Sequence, residues 1–510
     1  MSEKEITIKT NGRQHQCPGE SYTISDSVCR GRQRVSYPKC NICLNKVEPA
    51  GTSKQETEAR LSMGIFKSYD IRGKYPAEIN ELTARKIGAS IAQFMKQENP
   101  QSKNIVVGRD MRISSKPLAN ALIEGICTSG LNVINIGVVS TEMTYFAVGY
   151  YKYDGGVMVT ASHNPAEYNG FKICREQAIP VSFETGIDRI AKLTNQYQPP
   201  RGEPLGKVTM SDIFKDYKKH ILKFVQNIRH FRIVADAGNG MAGKVIPLIC
   251  EGLPLEIVPL YFEPDGNFPN HEPNPLDTKN LVDLQNKVRE TRAHLGVAFD
   301  GDADRCVFVD EMGRIIGCDI ITALIARHIL EKEKGAAILY DLRSSRVVPE
   351  EIKASGGTPH RERVGHAYMK AALRAKKAVF GGELSGHYYF RDNYHSDSGM
   401  IAFLTVLEIL SIKRAPFSNI IAPLKRYYST GEMNFEVKDK DGKINEIAKK
   451  FSDGKPDYLD GITVEYDTWW FNVRKSNTEP LLRLIIEGKT KEALEKGKKL
   501  LIGFIENKTS

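Results

Sequence analysis

The sequence predicts an α/β protein with three similar domains in tandem, followed by a smaller α+β domain. Three observations carry this prediction. Short apolar runs alternate with stretches of helical length from about residue 63 onward, which is typical of parallel βαβ units. The last part of the chain, about eighty residues, instead alternates like antiparallel strands. The chain has 510 residues, which is too long for one hydrophobic core.

Composition and charge indicate a soluble protein with a small anionic substrate. Hydrophobic residues make up 41% of the chain, and no apolar run approaches the ~20 residues of a membrane span. Residues 1–10 lack the apolar core of a signal peptide, so we expect a cytoplasmic protein without a membrane partner. The net charge of +10 is scattered along the chain, so we expect no nucleic-acid partner. Nothing in the sequence predicts an oligomeric state.

Residues 1–62 form a short, polar, cysteine-containing extension without a sustained helical or strand period. Cys40 and Cys43 have the spacing of a tetrahedral metal knuckle, and Cys17 and Cys29 could complete four sulfur ligands. Cys17 and Cys29 are widely separated and do not form a second closely spaced pair. Two interpretations of the extension therefore stay open: a zinc module, and a polar tail with free thiols. The other cysteines are expected to be buried small hydrophobes: Cys127, Cys174, Cys250, Cys306 and Cys318.

The first predicted domain, residues 63–208, contains the most informative segment. An apolar run at 156–159 predicts a buried parallel strand, and the serine loop, Thr160-Ala161-Ser162-His163-Asn164-Pro165, follows it. Open α/β sheets present reactive groups at the carboxyl ends of strands, so Ser162 is a candidate nucleophile that His163 orients or assists. Turn capping is the alternative for this pair. Further predicted elements are strands at 105–107 and 132–138 and helices at 115–129 and 143–151.

The second predicted domain, residues 209–312, carries three aspartates in one loop. This metal loop, Asp300-Gly301-Asp302-Ala303-Asp304-Arg305, follows a predicted strand at 295–299. Its carboxylates alternate with small residues, so they can converge on one cation, and oxygen ligands with no nearby histidine suit Mg²⁺. Arg305 can bind a phosphate bidentately, whereas a hydrophilic turn is the alternative. Further predicted elements are strands at 232–235 and 255–260 and helices at 211–225 and 281–291.

The third predicted domain, residues 313–424, contains the sugar loop, Gly382-Glu383-Leu384-Ser385-Gly386-His387. Glu383, Ser385 and His387 offer donors and acceptors suited to sugar hydroxyls, although a glycine-bounded surface turn is equally compatible. Either His387 or Lys172 could act as a general acid or base near neutral pH. Predicted elements are strands at 336–340 and 378–380 and helices at 320–332, 366–376 and 400–412.

The fourth predicted domain, residues 425–510, contains the phosphate loop at 474–480. Arg474, Ser476, Asn477 and Thr478 supply one guanidinium and several hydroxyl and amide groups, which favours a phosphate cradle over a turn closed by proline. Predicted elements are strands at 434–437, 463–466, 469–473 and 481–486 and helices at 444–451 and 491–506.

The four loops, in this order, resemble those of the α-D-phosphohexomutase family, most closely its bacterial phosphomannomutase/phosphoglucomutase branch. The resemblance runs from Gly64 to the C-terminus and leaves the extension outside it. It implies mixed sheets in the first three domains and a central cleft bounded by all four. It also implies a reversible transfer of a phosphoryl group between a phosphoserine, here Ser162, and mannose or glucose 1-phosphate. The intermediate would be a hexose 1,6-bisphosphate, which would also serve as activator. Mg²⁺ would bind Asp300, Asp302 and Asp304 together with the phosphoserine oxygen.

The resemblance also assigns roles to individual residues. Tyr69-Asp70-Ile71-Arg72-Gly73 matches an opening motif whose arginine faces the phosphoserine, and Lys172 matches an acid/base candidate. Arg343 stands where relatives often carry a lysine. The remaining positions match substrate contacts to the sugar or its distal phosphate: Gly365, His366, Lys370, Glu383, Ser385, Arg474, Ser476, Asn477 and Thr478.

Three other functions stay open from the sequence. A phosphoglucosamine mutase has overlapping motifs, although the form of the sugar loop with Leu384 resembles the enzymes that accept glucose and mannose. A metal-dependent sugar phosphatase would use Ser162 and release phosphate to water, and it would not need a bisphosphate activator. A binding protein without activity is disfavoured, because every predicted catalytic position carries a competent residue.

Overall fold

The structure is a computed structural model that describes residues 14–16, 23–25, 63–198, 206–476 and 481–506. The chain divides into two units, Met1–Leu61 and Ser62–Ser510. In the first unit, strands Gln14–Gln16 and Thr23–Ser25 pair antiparallel. Cys17, Cys29, Cys40 and Cys43 lie outside the described residues, so the zinc module stays a prediction.

The first domain of the larger unit is built on a mixed six-stranded sheet. Its strand order is Ile71–Lys74, Tyr168–Arg175, Gly155–Val159, Asn104–Arg109, Asn132–Val138 and Val208–Met210. The last four strands are parallel, whereas Tyr168–Arg175 runs antiparallel to both of its neighbours. The described α-helices of this domain are Glu81–Glu98, Ser115–Thr128, Thr141–Tyr151 and Asp188–Asn195. The first of them begins after Asn80, whose side chain accepts from the amide of Thr83.

The second domain repeats this plan with five strands. Their order is Leu255–Leu260, Phe231–Asp236, Leu295–Phe299, Cys306–Asp310 and Ile315–Ile316. The first three are parallel, and the last two reverse direction in succession. The described α-helices are Phe214–Ile221, Ala242–Cys250 and Val282–Thr291.

The third domain also has a mixed five-stranded sheet. The order is Thr358–Glu362, Ala337–Asp341, Phe380–Gly382, Tyr388–Phe390 and Ser396–Asp397, with the first three parallel and the rest antiparallel. The described α-helices are Cys318–Lys332, Val347–Ala354, His366–Ala375, Gly399–Lys413 and Phe417–Ile421. Helix Gly399–Lys413 is buried along almost its whole length and begins after Ser398, whose hydroxyl accepts from the amide of Ile401.

The fourth domain is an antiparallel sheet with helices on it. Its strand order is Tyr428–Ser429, Leu482–Gly488, Trp469–Lys475, Ile462–Glu465 and Lys455–Asp457, and Met433–Phe435 pairs with Leu482–Gly488 as well. The described α-helices are Lys440–Lys450 and Lys491–Ile505. The domain has its own apolar core, separate from the large core shared by the other three. The predicted fold class, three mixed α/β domains and a smaller C-terminal one, is confirmed; the exact domain boundaries stay predictions.

All four predicted functional loops occupy the same place in their domains. Each connects one strand to the antiparallel strand that pairs with it: 160–167 in the first domain, 300–305 in the second, 383–387 in the third and 476–481 in the fourth. In the first three domains the strand before the loop also pairs in parallel with its other neighbour in the sheet. These three loops therefore leave the carboxyl ends of parallel strands, which is where such sheets present ligands.

Two further expectations can be compared with the structure. The five later cysteines are buried and free, as predicted. Among the described residues, no helix combines the length and the apolar character needed to cross a membrane.

Candidate active site

The serine loop places Ser162 in the interior, at the junction of the first two domains. Its side chain is fully buried, and its φ of 52° lies in the left-handed region that non-glycine residues rarely adopt. The amide of Ser162 donates to Oγ1 of Thr160 over 2.9 Å. Its own hydroxyl donates to Oδ2 of Asp300 over 2.7 Å and lies 3.3 Å from Nδ1 of His163. The predicted nucleophile is thus held against the predicted metal loop.

His163 is suited to hydrogen bonding rather than to carrying charge. Burial, reinforced by the nearby guanidinium groups of Arg305 and Arg72, holds the pKa of His163 well below its ordinary value. A neutral imidazole beside Ser162 can accept from or donate to that hydroxyl without adding charge to the site.

The metal loop brings three buried carboxylates together. Oxygens of Asp300, Asp302 and Asp304 all lie within 4.8 Å of one another. Oδ1 of Asp302 and Oδ1 of Asp304 are buried, and neither accepts a hydrogen bond from any described residue. Burial and the two neighbouring carboxylates raise the pKa of Asp300 well above its usual range. A buried cluster of hard oxygen donors with orphaned lone pairs fits a divalent cation.

Lys172 reaches the metal loop from the return strand Tyr168–Arg175. Its ammonium donates to Oδ2 of Asp302 over 2.7 Å and to Oδ2 of Asp304 over 2.5 Å, and the side chain is only 6% exposed. Although burial acts in the opposite direction, these carboxylates raise the pKa of Lys172 well above its ordinary value. Lys172 is therefore held protonated beside Ser162.

Arg305 and His387 join the metal loop to the sugar loop. Nε of Arg305 lies 3.2 Å from Nε2 of His387 and 3.5 Å from Oδ2 of Asp300. Nε2 of His387 is 3.5 Å from Oδ1 of Asp304. Burial and Arg305 lower the pKa of His387, but the neighbouring carboxylates of Asp304 and Glu383 outweigh them and raise it to about 9. A positively charged pair, with one residue from each loop, therefore lies against the carboxylates.

Hydrogen bonds within the sugar loop and to residues outside it hold the side chains of this loop. Oε1 of Glu383 accepts from the amide of Gly365 over 2.9 Å, and its Oε2 accepts a short hydrogen bond from the hydroxyl of Tyr389. The hydroxyl of Ser385 lies 2.9 Å from Nδ1 of His387. Burial opposes ionisation of Glu383, but its hydrogen bond to His387 and the charge of Arg343 lower its pKa to about 2. Glu383 is therefore an ionised acceptor, which is the form that binds sugar hydroxyls.

The opening motif of the first domain touches two other parts of the site. Nη1 of Arg72 donates to Oδ1 of Asn164 in the serine loop over 2.5 Å. The hydroxyl of Tyr69 donates to the carbonyl of Val364 in the third domain over 3.0 Å. The ring of Tyr69 meets the ring of His366 edge-on, with 5.5 Å between centroids. These contacts place Tyr69 and His366 together and Arg72 beside the serine loop.

Lys370 forms an ion pair in the buried interior of the third domain. Its side chain is fully buried, with Nζ 2.7 Å from Oδ1 of Asp397 and 3.7 Å above the ring of Tyr145. Asp397 in turn belongs to a second buried group of potential ligands with Asp304 and His387. A direct contact between Lys370 and substrate stays a prediction.

A cluster of arginines around one carboxylate joins the third and fourth domains. Glu432 accepts from Nη2 of Arg474 over 2.6 Å and from Nη1 of Arg483 over 3.1 Å, and lies 3.6 Å from Nη1 of Arg343. Arg343 also donates to Oδ2 of Asp341 over 2.7 Å. Arg474 and Arg343 thus form a positive site across the two domains. The amide of Ser476 donates to the carbonyl of Leu481 over 2.9 Å, whereas Asn477 and Thr478 lie outside the described residues.

Two residues of the site were not predicted from the sequence. Glu432 is one acidic residue among many, and only the fold shows that three arginines surround it. Arg112 donates to four carbonyls around the serine loop. It follows the strand Asn104–Arg109, so the rule that selected Ser162, a polar residue just after a parallel strand, could have found it.

Together these groups can transfer a phosphoryl group. A buried serine hydroxyl adjoins a carboxylate cluster that fits a divalent cation, and a protonated lysine and a histidine lie on the same cluster. At the other end of the site, paired arginines offer a second place for a phosphate.

Comparisons with known proteins agree with this arrangement. Four family models match the chain in order. They are phosphoglucomutase/phosphomannomutase α/β/α domain I over residues 63–201, domain II over 215–313, domain III over 318–427 and the C-terminal domain over 432–502.

Similar curated proteins and solved structures span the same region. A phosphomannomutase of Vibrio cholerae is 41% identical over 440 residues, which cover 84% of this chain and 95% of that protein. Phosphohexose mutases of Xanthomonas campestris are 40% identical, covering 85% of this chain and 97% of theirs. The crystal structure of a phosphoglucomutase/phosphomannomutase family protein from Burkholderia thailandensis superposes with a TM-score of 0.81 at 33% identity, covering 88% of this chain and 99% of that one.

Proposed function

The chain belongs to the α-D-phosphohexomutase family, and we propose that it interconverts the 1-phosphates and 6-phosphates of mannose and glucose through a phosphoserine at Ser162. As a member of this family it is a hexose-phosphate mutase, an isomerase. The observation that carries the finer proposal is the 2.7 Å hydrogen bond from the hydroxyl of Ser162 to Asp300, inside the buried carboxylate cluster.

Asp300, Asp302 and Asp304 are the residues that would hold Mg²⁺, with an oxygen of the phosphoserine as a further ligand. When bound, the ion neutralises negative charge on the phosphoryl group as it transfers. The hard oxygen donors and the two orphaned Oδ1 atoms support this choice of cation.

The first transfer moves the phosphoryl group from the enzyme to the sugar. The P–Oγ bond of phosphorylated Ser162 breaks while a P–O bond forms to the free 6-hydroxyl of a hexose 1-phosphate. One proton leaves that hydroxyl and one is delivered to Oγ, so the number of protons in the site stays constant. We assign this exchange to Lys172 and His387, which both lie on the carboxylate cluster: one of them delivers its proton to Oγ, and the group that has given up its proton can then accept the proton of the sugar hydroxyl.

The second transfer regenerates the phosphoserine. The hexose 1,6-bisphosphate turns around in the site, and the bond between its 1-phosphoryl group and the sugar O1 breaks while a P–O bond forms to Oγ of Ser162. The serine hydroxyl loses one proton, O1 gains one, and the sugar leaves as hexose 6-phosphate. The same bisphosphate, added in trace amounts, would rephosphorylate enzyme that has lost its phosphate. Stabilisation of the phosphoserine between turnovers is assigned to three residues around Ser162: Arg72, which donates to Asn164 of the same loop, Arg305, which lies 3.5 Å from Asp300, and His163, which lies 3.3 Å from the hydroxyl.

Substrate recognition is assigned to the third and fourth domains. Glu383 and Ser385 would bind the sugar hydroxyls, and Tyr69, Gly365, His366 and Lys370 would line the same region. The phosphate that is not reacting would bind the arginine pair Arg343 and Arg474, together with Ser476, Asn477 and Thr478.

The test is a coupled mutase assay with Mg²⁺ and a trace of glucose 1,6-bisphosphate. Glucose 1-phosphate, mannose 1-phosphate and glucosamine 1-phosphate are compared, with Ser162→Ala as the blank. We expect Ser162-dependent turnover of the first two. Activity confined to glucosamine 1-phosphate would make the chain a phosphoglucosamine mutase. Release of inorganic phosphate that needs no bisphosphate would make it a phosphatase.

A further inference from the structure

A buried arginine outside the predicted catalytic set holds the backbone of the serine loop. The side chain of Arg112 is fully buried. Its Nη2 donates to the carbonyls of Ser162 over 2.8 Å and of Asn164 over 2.6 Å. Its Nη1 donates to the carbonyls of Pro165 over 2.7 Å and of Tyr168 over 3.2 Å. One guanidinium therefore binds the loop from the nucleophile to the start of the return strand.

The guanidinium is itself oriented by an acidic partner. Nε of Arg112 lies 3.2 Å from Oδ2 of Asp110, a fully buried carboxylate. Oδ1 of Asp110 accepts from the amide of Arg112 over 3.0 Å and also from the hydroxyl of Ser115. This arrangement aims the planar fork at the loop. A lysine would keep the charge, but its single ammonium could not span four carbonyls.

A segment of the second domain closes over Arg112. The ring centroid of Phe268 lies 4.9 Å from Cζ of Arg112. Gly266 packs so close that a Cβ there would lie 2.7 Å from Cα of Arg112. Phe268 is 7% exposed and has a φ of 51°, an unfavourable backbone for a bulky residue that tertiary packing must maintain. The domain that carries the metal loop is thus packed on the residue that holds the serine loop.

We propose that Arg112 is a positioning residue for phosphoryl transfer: it fixes Ser162 relative to the metal loop, and Phe268 couples that position to the second domain. The inference rests on the proposed function. The backbone of Ser162 is in the left-handed region, so the loop needs outside contacts to keep the hydroxyl aimed at Asp300. In-line transfer requires close alignment of the reacting atoms, and a displacement of ~1 Å lowers the rate about 100-fold.

The test compares Arg112→Lys, Arg112→Met and Phe268→Leu with a matched control, Arg374→Lys. Arg374 also donates to main-chain carbonyls, those of Lys370, Gln177 and Tyr394, but none of them belongs to the serine loop. The measurements are kcat and KM with Mg²⁺ and trace glucose 1,6-bisphosphate. Single-turnover experiments on the phosphoenzyme add the rates of transfer to sugar and of hydrolysis.

We expect Arg112→Lys to lower kcat and the single-turnover transfer rate together by about 100-fold, with KM within about threefold of the parent chain. The ratio of transfer to hydrolysis should fall, because a displaced phosphoserine still reacts with water. Phe268→Leu should also lower the ratio of transfer to hydrolysis, but by less than Arg112→Lys does. Arg374→Lys should leave it unchanged.

A purely structural role would lower activity only in proportion to the folded fraction, with the transfer-to-hydrolysis ratio intact, and that result overturns the inference. If neither Arg112 variant folds, Phe268→Leu decides, and an unchanged ratio there overturns it as well. The proposed function fails separately: it is contradicted if the parent chain itself shows no turnover that Ser162→Ala removes.

Discussion

The hydroxyl of Ser162 donates to Oδ2 of Asp300 over 2.7 Å, and this contact joins the first domain to the second. Both residues follow the same kind of strand: Ser162 comes after Gly155–Val159 and Asp300 after Leu295–Phe299, and each strand pairs antiparallel with the next one along the chain. Two equivalent hairpins therefore supply the candidate nucleophile and a candidate metal ligand. Phosphoryl transfer through Ser162 depends on this contact between Ser162 and Asp300.

Removing one carboxylate of the metal loop should weaken cation binding without unfolding the chain. We expect Asp302→Asn to raise the Mg²⁺ concentration needed for half-maximal activity at least ~10-fold. Mg²⁺ should also raise the melting temperature of the parent chain and have little effect on the variant, because only the parent binds the ion tightly. Without Mg²⁺ the variant loses repulsion among the buried carboxylates and also part of the ion pair with Lys172, which Asp304 still supplies, so it should stay folded.

The matched control for that experiment is Asp283→Asn, which removes a carboxylate bonded to the hydroxyl of Tyr261, outside the predicted site. It should keep the parent's Mg²⁺ dependence. An Asp302→Asn chain with the parent's Mg²⁺ response would show that the ion binds elsewhere.

Burial of Glu142 should make stability fall as pH rises. Burial raises the pKa of Glu142 from 4.5 to about 8, with Tyr217 donating to its Oε1 over 2.5 Å. The folded chain therefore keeps a proton that the unfolded chain loses above pH 4.5. The stability from this proton is complete below that value and is lost by ~1.4 kcal/mol per pH unit until the folded pKa is passed.

Glu142→Gln removes this titration while keeping the shape of the side chain. We expect its melting temperature to match the parent's near pH 5 and to exceed it by an increasing margin toward pH 8. Thermal unfolding of the two chains at several pH values measures that margin. A constant difference across the range would mean that Glu142 is ionised in the folded chain.

Arg474 should matter for substrate affinity more than for the chemical step. Its guanidinium is 1% exposed and pairs with Glu432 at the junction of the third and fourth domains. We expect Arg474→Ala to raise KM for hexose 1-phosphate about 10-fold to 100-fold through the loss of a charge-assisted phosphate contact. Phosphorylation of Ser162 should persist. Arg483→Ala, which also removes a partner of Glu432, is the control and should change KM by less.

The cysteine spacing of the extension predicts a metal content that can be measured directly. If Cys17, Cys29, Cys40 and Cys43 bind zinc, the purified full chain should contain one equivalent, and the double variant Cys40→Ser, Cys43→Ser should contain none. Cys127→Ser, which changes a buried cysteine of the larger unit, should retain the metal. A chain that contains no zinc and whose four extension thiols react at once with a thiol reagent would favour the alternative, a polar tail with free thiols.

The sequence predicted the parallel strands well and the return strands poorly. Predicted bounds at 132–138, 255–260 and 295–299 are those of the structure, because each is an apolar run closed by turn residues. The strand Tyr168–Arg175 was not predicted, because polar residues that face the site interrupt its apolar character. A helix predicted at 211–225 is shorter, Phe214–Ile221 with a 3₁₀ turn after it. The helix Glu81–Glu98 was not predicted either.

In the candidate site, residues that lie in short motifs were predicted, whereas residues defined by tertiary contacts were not. Ser162 and the three aspartates lie in short motifs whose residue types suggest their chemistry, and the structure brings them together. Arg112 and Glu432 gain their significance only from groups that are distant in sequence. The carbonyls that Arg112 binds lie fifty or more positions away, and the arginines around Glu432 come from two domains. Composition and spacing do not encode such relations.

The most direct test of the central claim is to locate the phosphate on the enzyme. The purified chain is incubated with glucose 1,6-bisphosphate and Mg²⁺, and its intact mass and phosphorylated peptides are measured beside those of Ser162→Ala. We predict one phosphoryl group per chain, carried on Ser162, which moves to the sugar when a hexose phosphate is added. A chain that turns over hexose phosphates while carrying phosphate on another residue, or none at all, would contradict it.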